Sequence, residues 1–536
     1  MSARVAAVAA PPLLLVTPFV IFLRHHAYSL ASPEVLLLLG ASIPGGATLG
    51  LVALRWPKIG AAVVAILIAL FVDVQFTFDV PIAGIGKNKV LAALVVGLFF
   101  VLFRARPQAF ALISAMTSTI LLSTFALPAG RLSWAEGSGP TANAGLPLVL
   151  HLILDEQTSV DGLRAHSPEA ADELRAFFEG RGFRILAGAY SQFALTTHSL
   201  AQALNLMPGQ PIAREVRDAS GESRNELSRA VYLERMAEAG YGLQVNQTEW
   251  LDLCGAVRSP IRCETVAVTR LGILQNEPLT ALQKLSVIGR TYAGRSRAFD
   301  AMSRAAGRGA AILGDDHAPE VRLGLGTTPY STVAGRAMFQ KLRTDVSQAQ
   351  AGQLYLAHIM MPHYPYMYDS RCALTPPSEW LTRDDPALEG LTNTPEGRSL
   401  RYRRYAEQLR CTLRLLSEVL EAIPPSLAEE AVVLIHGDHG SRIALLDPQE
   451  ARYTELVASD FVDSYSTLFA VRSPAVAPGY DPATLSITCA LTALVDSRFQ
   501  SFHDPNRCAS APTVFVSTGK GGYKERPLGG LTAGSR

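Results

Sequence analysis

Charge is scarce in this chain. Asp, Glu, Lys and Arg supply only 18% of its 536 residues, and 48 basic against 47 acidic side chains leave a formal net charge of +1. That balance excludes a general electrostatic attraction to nucleic acid. A positive mean hydropathy of +0.19 with so little charge is unusual for a soluble protein and points towards lipid. Cysteine is also sparse and one-sided. No cysteine precedes Cys254, and no Cys-x-x-C pair occurs, which argues against a cysteine zinc site. Internal repeats and low-complexity tracts are missing as well.

The averages conceal a split. Residues 1 to 127 are strongly apolar, whereas the remainder reads as an ordinary α/β chain. A membrane-spanning helix needs about 20 mostly apolar residues. Five runs qualify as expected spans: Pro11–Leu23, extending back towards Val5; Val35–Leu54; Ile59–Phe76; Val90–Phe103; and Phe110–Leu127. A cleaved signal peptide does not account for the first, because four more runs follow and no small-x-small site does. With the N-terminus on the cytoplasmic side, that side carries Arg4, Arg55, Lys58, Arg104 and Arg106 and no acid. The opposite side carries Arg24, Lys87 and Lys89, but also Glu34, Asp73 and Asp79. This is the expected sign of the positive-inside bias. An odd number of spans then delivers the rest of the chain outside.

The cysteines test that direction independently. All six (Cys254, Cys263, Cys372, Cys411, Cys489 and Cys508) fall in the second part. An even number in one compartment suggests disulfides, which persist in an oxidising environment. Pairing in sequence order, Cys254–Cys263, Cys372–Cys411 and Cys489–Cys508, is the expectation, although spacing alone leaves other pairings open. The expected location is therefore an inner (cytoplasmic) membrane, multi-pass, with the large domain periplasmic or extracellular.

Residues 128–146 are rich in Gly, Pro, Ser and Ala and read as a linker. Leu146–Asp155 is a nearly continuous apolar run ending in acids, the pattern of a strand buried on both faces. A helix over Pro168–Gly180, a strand from Phe183 and a helix near Thr197 follow. Strands over Gln353–Met361, Ala431–His436 and Ser466–Arg472 and a long amphipathic helix over Arg401–Ile423 complete the pattern. Strands alternating with helices predict an α/β sandwich with a largely parallel sheet over residues 147–518, ending in a loose tail over 519–536. Ligands in such sheets bind beyond the carboxyl ends of the strands.

Three strand ends carry suitable groups. Asp155-Glu156 follows the first strand; Gly437-Asp438-His439-Gly440 follows another; His363 lies in Met361-Pro-His-Tyr-Pro. Carboxylate oxygens with an imidazole nitrogen suit zinc or manganese. Glycines flanking Asp438-His439 favour a sharp backbone turn. A strand-end Asp is often only a helix cap, but the same acid-bearing pattern after two apolar strands is hard to explain as capping twice.

These motifs resemble those of the alkaline phosphatase superfamily, in its membrane-anchored sulfatase-like branch of phosphoethanolamine transferases and lipoteichoic acid synthases. Leu152–Glu156 resembles the first metal-binding strand end, Ile435–Gly440 the Asp-His-Gly metal motif, and Met361–Pro365 the loop whose histidine contacts substrate phosphate. The family's nucleophile position falls on Thr196 in Ala194-Leu-Thr-Thr-His-Ser-Leu200, with His198 where proline is usual and Thr197 as a minor alternative. The resemblance implies one divalent metal held by Asp155, Asp438, His439 and Thr196, with Glu156 as a further ligand or a neighbour of the ligands, and His363 and Arg442 facing the substrate. His317 and His436 are weaker candidates. No Cys-x-Pro-x-Arg context surrounds Thr196, which disfavours sulfatase chemistry.

The implied activity is transfer of a phospho-alcohol group, such as phosphoethanolamine or phosphoglycerol, through a phospho-threonine. The donor would be a membrane phospholipid and the acceptor an envelope glycolipid or glycan. A phosphoester hydrolase shares the intermediate. A non-catalytic scaffold or sensor would be expected to have lost these residues. A transporter needs polar groups deep in its spans, where Asp73 is the exception.

Overall fold

A computed structural model describes residues 3–75, 87–104, 106–137, 142–209, 216–218, 225–294, 329–381, 394–448, 453–503, 511–518 and 522–528. The chain divides into two compact units, residues 1–132 with 269–327, and residues 133–268 with 328–536.

The first unit is built on five helices: α1 (Ala3–His25), α2 (Pro33–Arg55), α3 (Pro57–Gln75), α4 (Lys87–Arg104) and α5 (Arg106–Ala126). Among the described residues four of them, not the expected five, are long and apolar enough to cross a membrane. The exception is the run from Val90. Its described apolar stretch, Val90–Arg104, is shorter than those of the other four. The direction of the bundle nevertheless follows from α1 and α5, which lie parallel. Near their starts, Ser114 Oγ donates to Ala6 O at 3.1 Å. Near their ends, Arg24 Nη2 donates to Leu127 O at 2.7 Å and Gly130 N to Arg24 O at 2.9 Å. The chain therefore leaves α5 at the end opposite to the start of α1, whatever the length of α4.

The second unit centres on a nine-stranded sheet. Its strands are β1 (Ser133–Glu136), β2 (Val149–Leu154), β3 (Arg184–Tyr190), β4 (Gly242–Thr248), β5 (Ile261–Val266), β6 (Gln353–Ile359), β7 (Val432–Gly437), β8 (Phe469–Arg472) and β9 (Gly479–Ser486). Their order is β1-β5-β4-β6-β2-β7-β8-β3-β9. The five strands from β5 to β7 in that order are mutually parallel. β1 and β8 run antiparallel to their neighbours. The sheet is thus mixed and mostly parallel, and β1 arises inside the stretch read as a linker. β2 and β7 are buried at every position, as continuous apolar runs covered on both faces require.

Local signals account for the flanking helices. α6 (Pro168–Glu179) starts with Pro at its first turn, where the missing N–H costs nothing. The long helix Pro395–Glu421 begins earlier than its apolar stripe suggests, because Thr394 Oγ1 accepts from Gly397 N at 3.2 Å and Pro395 follows. α7 (Thr196–Leu204) follows β3 and buries nearly all of its length. Residues 523–527, inside the expected tail, pair with Thr513–Ser517 as a hairpin.

After Val268 the chain joins the first unit. His26 Nδ1 lies 3.1 Å from Thr269 O, Gly272 N donates to His26 O at 2.8 Å, and Ser29 N donates to Gln275 Oε1 at 3.0 Å. Helix α8 (Ala281–Gly294) follows and packs Tyr292 edge-on against Phe19 and Phe22, with ring centroids at 5.6 and 5.1 Å.

Cys254 is bridged to Cys263, and Cys372 to Cys411. The expected partner of Cys489, Cys508, lies outside the described residues, as does His317.

Candidate metal site

Strand pairing brings the acids together. β6, β2 and β7 are neighbours, and Leu154 stands opposite both Ile359 and Gly437. The residues that follow, Asp155 and Asp438, are therefore side by side at the carboxyl edge of the sheet. Asp438 Oδ1 accepts from Glu156 N at 3.0 Å and from His439 N at 2.9 Å, which clamps the two strand ends to each other.

Glycine serves this clamp by closeness, not by an unusual φ. A Cβ on Gly437 would sit 2.3 Å from Gln157 O, and one on Gly440 2.3 Å from Asp463 O. Positive φ falls instead on Glu156 (60°) and Arg442 (55°), one on each loop. These are uncommon conformations for residues bearing a side chain, and Arg442 N is held by Asp463 O at 2.9 Å.

The resulting cluster is fully enclosed. Asp155, Glu156, Asp438 and His439 are at most 1% exposed, and Thr196 is 4% exposed. Asp155, Asp438 and His439 offer ligand atoms within 4.8 Å of one another, and so do Asp155, Glu156 and His363. His439 Nδ1 lies 2.9 Å from Gly440 O. In the neutral ring that nitrogen carries the proton, and Nε2 presents its lone pair. His439 Nε2 is 3.2 Å from Asp438 Oδ2 and 3.1 Å from Thr196 Oγ1. Thr196 opens α7, so its hydroxyl sits at a helix N-terminus whose free N–H groups favour an anion.

Five carboxylate oxygens here, both of Asp155, both of Glu156 and Oδ2 of Asp438, are buried without a hydrogen-bond partner. Burying an unpaired carboxylate costs several kcal/mol, roughly, even after relaxation. A divalent cation bound to oxygen and imidazole ligands removes that cost, so the donor set fits zinc or manganese. The electrostatics agree. Burial pushes the Asp155 carboxyl up, but His363, His358 and His439 outweigh it and hold it well below the usual carboxylate range. Burial, reinforced by Asp155 and Asp438, drives Glu156 well above that range despite Arg442.

Sequence reasoning missed His358. It lies within β6, fully buried, with Nε2 3.3 Å from Asp155 Oδ2. Burial lowers its pKa, but Asp155 and Asp438 raise it overall. The only signal was a basic residue in an otherwise apolar strand.

On the far side of Glu156 stand His363 Nε2, at 3.8 Å from Oε1, and Arg442 Nη1, at 4.0 Å. His363 Nδ1 hydrogen-bonds to Tyr364 O, and burial lowers its pKa. Thr197 is not drawn into the cluster; its Oγ1 lies 2.9 Å from His198 Nδ1, and the His198 ring packs near Phe193 and Tyr523. His436 faces the sheet interior, where its Nε2 is 2.8 Å from His151 Nε2.

No family model and no curated protein matches the chain. Among solved structures it is similar to the C-terminal periplasmic domain of EcEptC from Escherichia coli, at 11% identity and TM-score 0.36, over 74% of this chain and 96% of that one. It is similar to a protein in the alkaline phosphatase superfamily from Vibrio parahaemolyticus, at 11% identity and TM-score 0.38, over 73% of this chain and 78% of that one. It is also similar to the phosphonate monoester hydrolase of Agrobacterium radiobacter, at 13% identity and TM-score 0.37, over 69% of this chain and 80% of that one. In the strand ends Asp155-Glu156 and Gly437–Gly440, and in a threonine opening a helix beside them, the chain is similar to the alkaline phosphatase superfamily.

Proposed function

We propose that this chain is a membrane-bound, metal-dependent phosphoryl-group transferase. It takes a phospho-alcohol group from a phospholipid and passes it to a hydroxyl of an envelope glycolipid or glycan. The observation that carries the reading is one hydroxyl: Thr196 Oγ1, nearly buried at a helix start and 3.1 Å from His439 Nε2, the same nitrogen that lies 3.2 Å from Asp438 Oδ2.

When bound, the cation would be held by Asp155, Asp438, His439 and Thr196, with Glu156 next to it, and would lower the pKa of the hydroxyl and offset phosphoryl charge. The α7 N-terminus and Arg442 supply further positive charge for the phosphoryl oxygens. In the first half-reaction Thr196 Oγ1 attacks phosphorus, its proton leaves, and the lipid alcohol departs after gaining a proton. In the second an acceptor hydroxyl attacks the phospho-threonine, its proton leaves, and Thr196 regains one.

The topology supports the assignment of compartment. α1 and α5 run parallel, so the chain leaves α5 at the end opposite the N-terminus, and the bridges Cys254–Cys263 and Cys372–Cys411 suit an oxidising compartment. The experiment is intact mass of the full chain after incubation with phosphatidylethanolamine or phosphatidylglycerol. A phospho-alcohol adduct on Thr196, absent in Thr196→Ala, is the expected result. Full transfer activity in Thr196→Ala overturns the mechanism. An adduct discharged only to water would make the enzyme a hydrolase.

A further inference from the structure

A cavity among the membrane helices takes no part in the chemistry above. Its volume is about 300 Å³, at the lower end of the range, roughly 300–1,000 Å³, in which small-molecule sites fall. Leu15 and Phe19 of α1, Leu39 of α2 and Phe71 of α3 form three walls, and α8 closes a side with Gly289 and Tyr292. Among the described residues no charged side chain lines it. Water would find too few hydrogen-bonding partners in such a space to be stable there.

Its position along the helices is specific. The lining stretches belong to the half of α1 that ends at His25, the half of α2 that begins at Pro33 and the half of α3 that ends at Gln75. That is the end of the bundle where the segment carrying α8 is attached through His26 and Thr269. The same end carries a polar collar with three cations. Arg24 donates to Leu127 O at 2.7 Å, Arg270 to His25 O at 2.8 Å, and Lys284 to Gln275 O at 2.6 Å. An apolar slot beneath a collar of three cations and Glu34, whose charge acts on Lys284, repeats the order of a lipid leaflet, acyl chains beneath phosphate- and amine-bearing headgroups. Around it the surface is lipid-facing: Leu36, Leu37 and Ile43 on α2 and Leu282 on α8 are all more than half exposed.

We infer that this cavity is a binding site for one acyl chain of a phospholipid from the leaflet at the His25 end, with the lipid phosphate at the collar. The site itself follows from the bundle alone; its occupant being the donor lipid rests on the proposed transfer reaction. α8 is then a clamp supplied by the chain after Val268, and the lipid is held by an element of the same polypeptide that carries the site.

The test uses the full chain in nanodiscs of phosphatidylethanolamine bearing a diazirine near the end of one acyl chain. After irradiation, adducts mapped by mass spectrometry should favour residues 14–19, 38–42, 67–74 and 289–292 over the outward face of α5 at Leu112 and Leu122 by at least about fivefold. Gly289→Trp fills the space. A Cβ at Gly289 meets no atom within 4 Å, so packing is spared, and the lining adducts should fall while those on α5 stay constant. Should that variant fail to fold, Ser42→Phe, on another wall of the cavity, gives the same reading. Adducts spread evenly over the bundle, or unaffected by either variant, overturn the inference. Thr196→Ala separates the two proposals: it should abolish transfer and leave the adduct pattern intact. Lining adducts in a protein that transfers nothing keep the acyl site and remove the donor assignment.

Discussion

The two units differ in what their surfaces expose. In the first, large apolar groups point outward: Leu37 is 62%, Phe100 63%, Leu122 71% and Leu282 77% exposed. In the second, Val457 is the one exposed large apolar side chain among the described residues, whereas Asp155, Glu156, Asp438 and His439 are sealed inside. The first unit carries the four candidate spans and keeps charge near the ends of its helices. The second has water to shed its apolar surface against, and it spends the resulting stability on concentrating charge at one point. Membrane spans tolerate ionised groups poorly; a buried cluster of carboxylates is tolerable where His358, His439 and Arg442 stand against it and its ligand atoms converge well enough to take a cation.

Four experiments sharpen or break this contrast. The largest effect is expected from Thr196→Ala, which should lower phosphoryl transfer by about 10³-fold or more. Leu122→Ser, on the lipid face of α5, should leave the rate of the folded enzyme within about twofold in the same assay. A comparable loss from both would mean that the chemistry is not confined to the second unit.

Asp438→Asn comes next. Removing one charged ligand should cut bound metal by at least about tenfold, read by elemental analysis of the purified full chain. Stoichiometric metal in that variant would remove Asp438 from the ligand set.

A pair of glycine substitutions compares the packing of the units directly. Gly440→Ala drives a Cβ to 2.3 Å from Asp463 O and should destabilise the second unit by about 1–3 kcal/mol in denaturant melts. At Gly97 on α4 a Cβ meets nothing within 4 Å. Gly97→Ala should therefore be neutral or stabilising by about 0.5–1 kcal/mol. Equal costs would contradict the difference in packing.

The smallest effect concerns Glu156. Its folded pKa lies above its unfolded value, so the metal-free folded state binds the proton more tightly than the unfolded state does. Stability of the metal-free protein should then fall as pH rises from the unfolded pKa, near 4.5, towards the raised folded value. Glu156→Gln should flatten that slope and raise the metal-free melting temperature by a few degrees at neutral pH, roughly as a change of about 1 kcal/mol would. An unchanged slope in a pH series of thermal melts would exclude Glu156 as its source.

Much of the site was legible because its residues sit immediately after strands that announce themselves. β2 and β7 are apolar at almost every position, and Asp155 and Asp438 each follow directly on such a run. Thr196 was legible through motif resemblance and its place at a helix start. His358 was not, because a residue inside a strand has no boundary to mark it; only the pairing of β6 with β2 sets it beside Asp155. The glycines around Asp438-His439 were read as a device for turning. They are needed because Gln157 and Asp463 approach too closely for a side chain, and those contacts are distant in sequence. α8 escaped notice as part of the first unit. At Ala281–Gly294 it is too short to span and carries Lys284 and Arg290, so nothing in its composition ties it to the apolar helices.

By itself the sequence determined which segments prefer lipid and which residues can bind a cation. Both are local properties, set by side-chain transfer free energy and ligand chemistry. The tertiary structure alone decided the rest. α1 and α5 are parallel because of hydrogen bonds between residues far apart in the chain. Asp155 and Asp438 form one centre because the register of β2 and β7 sets Leu154 opposite Gly437. Convergence of this kind depends on backbone pairing between distant segments, which no local pattern of side chains encodes.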